Sequence, residues 1–122
     1  MKVQKVNLSE TFQRFDDFWS PKIIGEVNDF HVKLVKVEGE FIWHQHESED
    51  ELFLVVNGQL TIQFRDSELV LEKGEFAVVP RGVEHRPVAD NETHLLIFEP
   101  ATTINTGNAT SEFKVDEPER LS

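Results

Sequence analysis

The sequence predicts an all-β protein, a small antiparallel β-barrel or double-stranded β-helix (jelly roll), with a short helix before it. Between residues 22 and 98 the apolar residues form short runs rich in Val, Ile, Leu and Phe. Turn residues separate these runs, as in Asn28-Asp29, Asn57-Gly58 and Lys73-Gly74. Short strands at this spacing are typical of antiparallel sandwiches and barrels, and no stretch between them reads as the long helix of a parallel crossover.

The first predicted element is a helix over residues 8–19. Its apolar residues recur at the spacing of one helical face: Leu8, Phe12, Phe15 and Trp19. We expect Ser9 to cap this helix, with Glu10 in its first turn. Ser20-Pro21 then ends it, because a residue that precedes proline is disfavoured in the helical region.

The clearest predicted hairpin lies at Asn57-Gly58, between the apolar runs at 52–56 and 59–64. A type I′ turn needs positive φ at both central residues, and Asn-Gly meets that need best. After Pro100 the composition changes, because residues 102–111 are rich in Thr, Asn, Gly and Ser. We therefore expect one domain over 1–122, with the barrel at 22–99 and an extension at 100–122 that lies over the barrel or stays mobile.

Composition and charge exclude several classes of function. Lys plus Arg number 12 and Asp plus Glu number 23, so the net charge is −11. We expect no nucleic-acid partner and no docking on anionic membranes, since both need excess cations. The absence of Cys excludes disulfides and thiolate metal sites. Without a signal-like apolar segment, and with Leu52–Val56 as the longest apolar run, we expect a cytoplasmic protein.

Histidines and a carboxylate make up the candidate chemistry. On a strand, His44 and His46 project to the same side with Cα atoms about 6.7 Å apart. Ile42 is in phase with them, so this face is expected to be the inner one. Buried imidazoles need partners, and a divalent metal supplies one. Glu51 begins the next run, and His85 follows the turn at 80–82.

Taken singly, these residues also fit ordinary structural roles. A histidine pair on a strand is often explained by packing or by a surface position. The run from 47 to 51 fits a solvated acidic loop, and His85 fits a hydrogen bond to a turn carbonyl. If the acidic side chains line a barrel mouth instead, they disfavour anionic substrates: Glu47, Glu49 and Asp50. From composition and spacing alone, both interpretations stay open.

The spacing of these residues resembles the two signature motifs of the cupin superfamily. The first motif corresponds to Gly39, His44-Gln45-His46, Glu51 and Gly58, and the second to Gly74, Pro80-Arg81-Gly82 and His85. Two departures are present: four residues rather than five separate Gly39 from His44, and Ala89 stands where the second motif has Asn. Fifteen residues separate the motifs, which is typical of compact bacterial members.

The resemblance implies a barrel that holds one divalent metal on His44, His46, Glu51 and His85. Three imidazoles and a carboxylate suit Zn, Ni, Fe, Mn or Cu. Four protein ligands leave positions of a six-coordinate metal free for water, substrate or dioxygen. Around them we expect three residues in the pocket wall: Ile42, Phe53 and Lys33.

The resemblance leads to a metal-dependent enzyme that acts on a small molecule inside the barrel, of the oxygenase, isomerase or lyase type. The alternative is a non-catalytic binder or sensor of a metal or small molecule. Members of the superfamily commonly dimerise, and outward-facing Phe41 and Trp43 predict an exposed apolar patch. We therefore expect a homodimer.

Overall fold

A computed structural model describes residues 3–122 and confirms the all-β class with a short helix before the barrel. The elements, in chain order, are α1 (Leu8–Phe12), β1 (Lys22–Val27), β2 (Phe30–Glu40), β3 (Glu51–Asn57), β4 (Gln59–Gln63), β5 (Glu68–Glu72), β6 (Phe76–Val79), β7 (Arg86–Pro100) and β8 (Glu119–Arg120). Among residues 3–122, no helix has the length and apolar character to cross a membrane.

The long strand β7 organises the sheet. β2 pairs antiparallel with it from Phe30–Pro100 to Glu40–Val88. β3 pairs with the part of β7 near its end, and β4 pairs with the part near its start. β1, β5 and β6 extend these pairings outward, and β8 adds a short parallel pairing to β1. Residues from distant parts of the chain therefore face one interior.

The prediction of a hairpin at Asn57-Gly58 is wrong, because no hairpin forms there. β3 and β4 do not pair with each other, because β3 pairs with β6 and β7 while β4 pairs with β5 and β7. Gly58 has φ +98°, and a Cβ added there would lie 2.6 Å from Thr93 Oγ1. Thr93 Oγ1 donates to Gln59 O at 3.0 Å, so the chain kinks against β7 and continues into β4. The other motif glycines also have positive φ: Gly39, Gly74 and Gly82.

The inward side chains of strands β2 to β7 form the main core. Strand alternation places one face of each strand inside. The buried members of this cluster are Val35, Val37, Phe53, Val55, Leu60, Ile62, Leu71, Val79, Ala89, Leu95 and Ile97. A second apolar cluster lies where α1 packs on the sheet, around Phe12, Phe15, Ile24 and Leu34.

The helix is shorter than predicted and begins differently. Asn7 rather than Ser9 is the N-cap, since Asn7 Oδ1 accepts from Glu10 N at 2.9 Å. The helix ends at Phe12 instead of continuing to residue 19. Asp16 and Asp17 would have occupied its later turns, where acidic side chains oppose the helix dipole.

The backbone after α1 binds β2 instead of continuing the helix. Lys36 Nζ donates to Phe15 O at 2.6 Å, and Trp19 N donates to Lys36 O at 2.8 Å. Phe15 stays in the cluster under α1, whereas Trp19 packs against the barrel core. The four-residue apolar stripe is therefore divided between two clusters.

Residues 101–115 cross one end of the barrel. Asn108 N donates to Gln45 O at 3.1 Å, and Gln45 N donates to Asn108 Oδ1 at 3.0 Å. Phe113 packs on Phe41 with ring centroids 5.2 Å apart. A Cβ on Gly107 would lie 2.2 Å from Gln45 O, so the segment lies directly on the first motif.

The apolar patch expected at Phe41 and Trp43 does not form. Phe41 is buried and stacks on Trp19 at 4.8 Å between ring centroids. Trp43 is half-buried beneath the Arg65 guanidinium, whose carbon lies 3.9 Å from the ring centroid. Because residues 41–43 have no regular strand pairing, alternation does not turn these side chains outward. The homodimer stays a prediction.

Candidate metal centre

A bridge between two loops brings His44 of the first motif beside His85 of the second. His44 N donates to His85 O at 3.0 Å, and His85 N donates to His44 O at 2.9 Å. The segment around His44 and His46 has no further strand pairing, yet both histidines are buried while Gln45 is half-buried. Glu51 is the first residue of β3, and His85 directly precedes β7.

The structure places all four predicted ligands in one buried group. One ligand atom from each of His44, His46, Glu51 and His85 lies within 4.8 Å of the others. Glu51 Oε1 lies 3.3 Å from His46 Nε2 and 3.6 Å from His85 Nε2. None of the four residues is more than 5% exposed. This group has the size and the donor atoms of a metal site.

Backbone carbonyls orient two of the imidazoles. His44 Nδ1 lies 3.0 Å from Ile42 O, and His85 Nδ1 lies 2.9 Å from Val83 O. A neutral imidazole that donates from Nδ1 presents the lone pair of Nε2, which is the form that binds metals. The local backbone therefore selects the tautomer in which both rings can act as ligands through Nε2.

Unpartnered polar atoms test whether a metal fits the group. Within residues 3–122, buried side-chain atoms without a hydrogen-bond partner include both ring nitrogens of His46, His85 Nε2 and Glu51 Oε1. Each such buried group costs about 1–3 kcal/mol if it stays unpaired. A divalent cation held by His44, His46, Glu51 and His85 would satisfy the ligand atoms together, so the residues fit a metal.

The protonation states of the group also suit a cation. Burial, with a smaller contribution from His85, lowers the pKa of His44 to about 4. His44 is therefore neutral near pH 7, as a metal ligand must be. Burial opposes the ionisation of Glu51, but the adjacent imidazoles of His46 and His85 hold its pKa well below the usual range. The donor set is thus three imidazoles and one carboxylate.

A buried ion pair lies behind Glu51 and accounts for Lys33. Lys33 Nζ donates to Glu99 Oε2 at 2.7 Å, and both residues are 2% exposed. The expectation that Lys33 lines the pocket is not met, because this pairing turns its ammonium to Glu99. Glu99 also contacts Glu51, and burial together with the Glu51 charge raises the pKa of Glu99 well above its ordinary value.

Glu99 was not predicted from the sequence, although one signal pointed to it. Lys33 stands in a run of strand residues whose neighbours are mostly apolar. A lysine buried in such a strand needs a carboxylate partner. The sequence offers 23 acidic residues and no means of choosing among them, since the partner is set by the register of β2 against β7.

A chamber inside the barrel adjoins His44 and Glu51. The cavity volume of this chamber is about 40 Å³. Phe53 lines it, whereas Ile42 does not, because Phe41 takes the inner position in the segment 41–43, which has no regular strand pairing. The remaining lining residues are Trp19, Pro21, Val35, Val37, Pro87, Leu95, Ile97 and Asn105.

A second, more open pocket lies at the barrel mouth beside His46. Glu47 and Glu49 line it, together with Thr102 and Asn108 of the crossing segment. Asp50 turns away from this pocket, because its Oδ1 accepts from Arg81 N at 2.9 Å, a contact that also lowers the pKa of Asp50. The mouth beside the candidate metal centre is therefore acidic.

Comparisons with known proteins agree with this geometry. The family model described as "Cupin domain" matches residues 30–99. The chain is 49% identical to a cupin-2 domain containing protein of Shewanella frigidimarina NCIMB 400, with TM-score 0.77, covering 78% of this chain and 93% of that one. It is 32% identical to protein NMB1881 of Neisseria meningitidis, with TM-score 0.74, covering 80% of this chain and 100% of that one.

A curated relative matches over a shorter stretch. The uncharacterized protein YdbB of Bacillus subtilis (strain 168) is 45% identical over 64 residues. That stretch covers 52% of this chain and 57% of YdbB, so the match spans a little over half the relative's length.

Proposed function

This chain belongs to the cupin family, and we propose that it is a metal-dependent enzyme that acts on a small molecule inside the barrel. The observation that carries the proposal is the junction between the ligand group and the chamber. His44 and Glu51 belong to both, so a molecule in the chamber lies next to the metal that the group would hold. The oxygenase, isomerase and lyase types all remain within this proposal.

The metal would be one divalent transition ion, and the donor set admits Zn, Ni, Fe, Mn or Cu. When bound, it supplies a Lewis acid to which a substrate donor atom can coordinate. The chain contributes the surroundings of that ion. Ile42 O and Val83 O hold the rings of His44 and His85, and the chamber places mostly apolar side chains on one side of the group.

The crossing segment 101–115 supports a second candidate, a non-catalytic binder or sensor of a metal or small molecule. This segment lies on the first motif through the paired hydrogen bonds between Asn108 and Gln45. A covered site favours retention of its ligand, which suits capture as well as catalysis. Turnover separates the two candidates, since a binder shows saturable binding without product.

The first experiment measures metal content after purification without an affinity tag. We expect close to one transition-metal ion per chain, and its loss in His44→Ala and His85→Ala. His94→Gln is the matched control, because the half-buried His94 pairs with Glu92 and stacks on Phe12 rather than joining the group. No bound metal, together with no stabilisation by added Zn, Ni, Mn or Fe(II), would refute metal binding.

The second experiment tests catalysis. Metal-loaded protein is incubated with a panel of small metabolites while oxygen uptake and product formation are followed. Turnover that His85→Ala abolishes and His94→Gln retains would support the enzyme. Saturable thermal shifts without any turnover would favour the binder.

A further inference from the structure

We infer that the chamber selects a small ligand with one donor atom for the metal and an otherwise apolar body, and that it rejects polyhydroxylated molecules such as sugars. The inference rests on the proposed function, because the donor atom reaches a metal held by His44, His46, Glu51 and His85. It adds the substrate class, which neither the motifs nor the comparisons assign.

The composition of the wall carries the inference. Nine of the lining side chains are apolar or aromatic: Trp19, Pro21, Val35, Val37, Phe41, Phe53, Pro87, Leu95 and Ile97. The polar lining residues are His44, Glu51 and Asn105. His44 and Glu51 belong to the metal group, so Asn105 and the Trp19 indole are the remaining side chains that could hydrogen-bond a ligand.

Both of those side chains are already engaged with the backbone. Asn105 Nδ2 donates to Phe113 O at 2.8 Å, and Asn105 Oδ1 accepts from Val115 N at 2.8 Å. Trp19 Nε1 donates to Glu38 O at 3.0 Å. Trp19 therefore has no donor left, and Asn105 keeps at most one amide hydrogen and one lone pair. A ligand with several hydroxyls in the chamber would lose more water partners than Asn105 could replace, which is unfavourable.

The charge and size of the chamber act in the same direction. The ammonium of the buried Lys33 is neutralised by Glu99, and Lys33 does not line the chamber. A second anionic group on the ligand therefore has no counter-ion there. The space of about 40 Å³ admits a few water molecules, so the ligand body is small.

The test compares two small molecules that each carry one metal-binding thiol group. The protein is loaded with Co(II) under anaerobic conditions, and 1-propanethiol or 1-thioglycerol is titrated while the sulfur-to-cobalt absorption band is followed. The two probes have the same chain length, but 1-thioglycerol carries two additional hydroxyls. We expect 1-propanethiol to bind at least tenfold more tightly, and a ratio below tenfold would overturn the inference.

Two Val→Thr variants, which change the shape of the side chain little, test whether the chamber wall causes the preference for 1-propanethiol. Val35 lines the chamber, whereas Val55 is buried in the same core without lining it. Val35→Thr places a hydroxyl in the wall and is expected to reduce the ratio at least threefold, while Val55→Thr leaves it unchanged. An equal effect of both variants, or none from Val35→Thr, would contradict selection by the chamber wall.

A direct measurement covers the case in which a variant does not fold. In the unsubstituted protein loaded with diamagnetic Zn, 1-propanethiol should show NMR contacts to methyl groups of Leu95 and Ile97. Contacts to Thr102 and Ile104 at the mouth instead would overturn the inference while leaving metal binding intact. Failure to take up Co(II) or Zn would overturn the proposed function and this inference together.

Discussion

Replacing Lys33 with Met keeps a long side chain in the barrel but removes the ammonium group that contacts Glu99. The two partners are 2.7 Å apart and both are 2% exposed. At an effective dielectric constant near 20, charges at that distance attract by about 6 kcal/mol. Desolvation of both ions offsets much of this attraction, so the pair as a whole adds little net stability.

Removing one partner has a larger effect than removing both. Lys33→Met leaves the Glu99 carboxyl buried without its cation, which is expected to lower the free energy of unfolding by about 3–5 kcal/mol. In Lys33→Met/Glu99→Leu no carboxyl remains to be compensated. We expect the double variant to recover most of the loss and to lie within about 1–2 kcal/mol of the parent.

The loss in the single variant depends on pH in a defined direction. The pKa of Glu99 is raised in the folded state, so folding binds a proton that the unfolded chain releases. A group of this kind stabilises the fold below its unfolded pKa and loses that contribution as pH rises through its folded pKa. In the parent, Lys33 opposes this rise in the pKa of Glu99, so Lys33→Met should raise the pKa further. The defect of Lys33→Met should therefore be small near pH 5 and grow toward pH 8, whereas the double variant lacks this added dependence.

Urea unfolding followed by tryptophan fluorescence, with chelator present, measures these differences at pH 5 and pH 8. Trp19 packs against the core and reports on the barrel. A Lys33→Met variant within 1 kcal/mol of the parent at pH 8 would refute the account of the ion pair. So would a double variant whose loss equals the sum of the two single losses.

Three further outcomes are expected. In urea unfolding, Gly58→Ala should lower the free energy of unfolding by about 2–4 kcal/mol, because its Cβ adds a steric clash to the strain of a positive φ. Gly74→Ala should lower it by about 1 kcal/mol, because Gly74 also has a positive φ but an added Cβ meets no atom within 4 Å. Similar losses in both would contradict the close approach. The pKa of His44 is lowered to about 4, so the unfolded chain binds a proton at a higher pH than the folded protein does. The free energy of unfolding of the metal-free protein should therefore fall by up to about 3 kcal/mol between pH 6.5 and pH 4, and His44→Gln should remove that decrease. A variant with the parent's pH profile would disprove this assignment. In Gly107→Ala the added Cβ should clash with Gln45 O, so proteolysis within 101–115 and metal exchange should both become faster. Unchanged rates would show that this segment does not cover the site.

The candidate metal ligands were predictable because their spacing is local within each motif. His44 and His46 are two residues apart, and alternation turns both inward even though their segment makes only one bridge. Glu51 and His85 were candidates from the residues themselves, but only the resemblance to a family grouped them with the histidine pair, because that meeting depends on contacts such as the bridge from residue 44 to residue 85. The positive φ at the motif glycines fits the predicted breaks between strands.

Local patterns failed where a distant strand set the outcome. Asn57-Gly58 has the residues of a hairpin turn, but both neighbouring strands pair with β7, so they lie one after the other along it instead of pairing with each other. The apolar stripe at residues 8–19 has the period of a helix. The helix nevertheless stops early, because Lys36 on β2 hydrogen-bonds the backbone of Phe15 and Trp19. In both places, contacts with a remote strand prevailed over the conformation that the local residues favour.

By itself, the sequence determined the class of fold, the inward pair of histidines and the acidic character of the chain, because periodicity, turn chemistry and charge are properties of neighbouring residues. Tertiary structure alone decided that Lys33 pairs with Glu99, 66 positions away, and that Phe41 rather than Ile42 lines the chamber. The physical reason is register: which side chains meet inside a barrel depends on how distant strands align, and that alignment is settled only when the whole sheet closes.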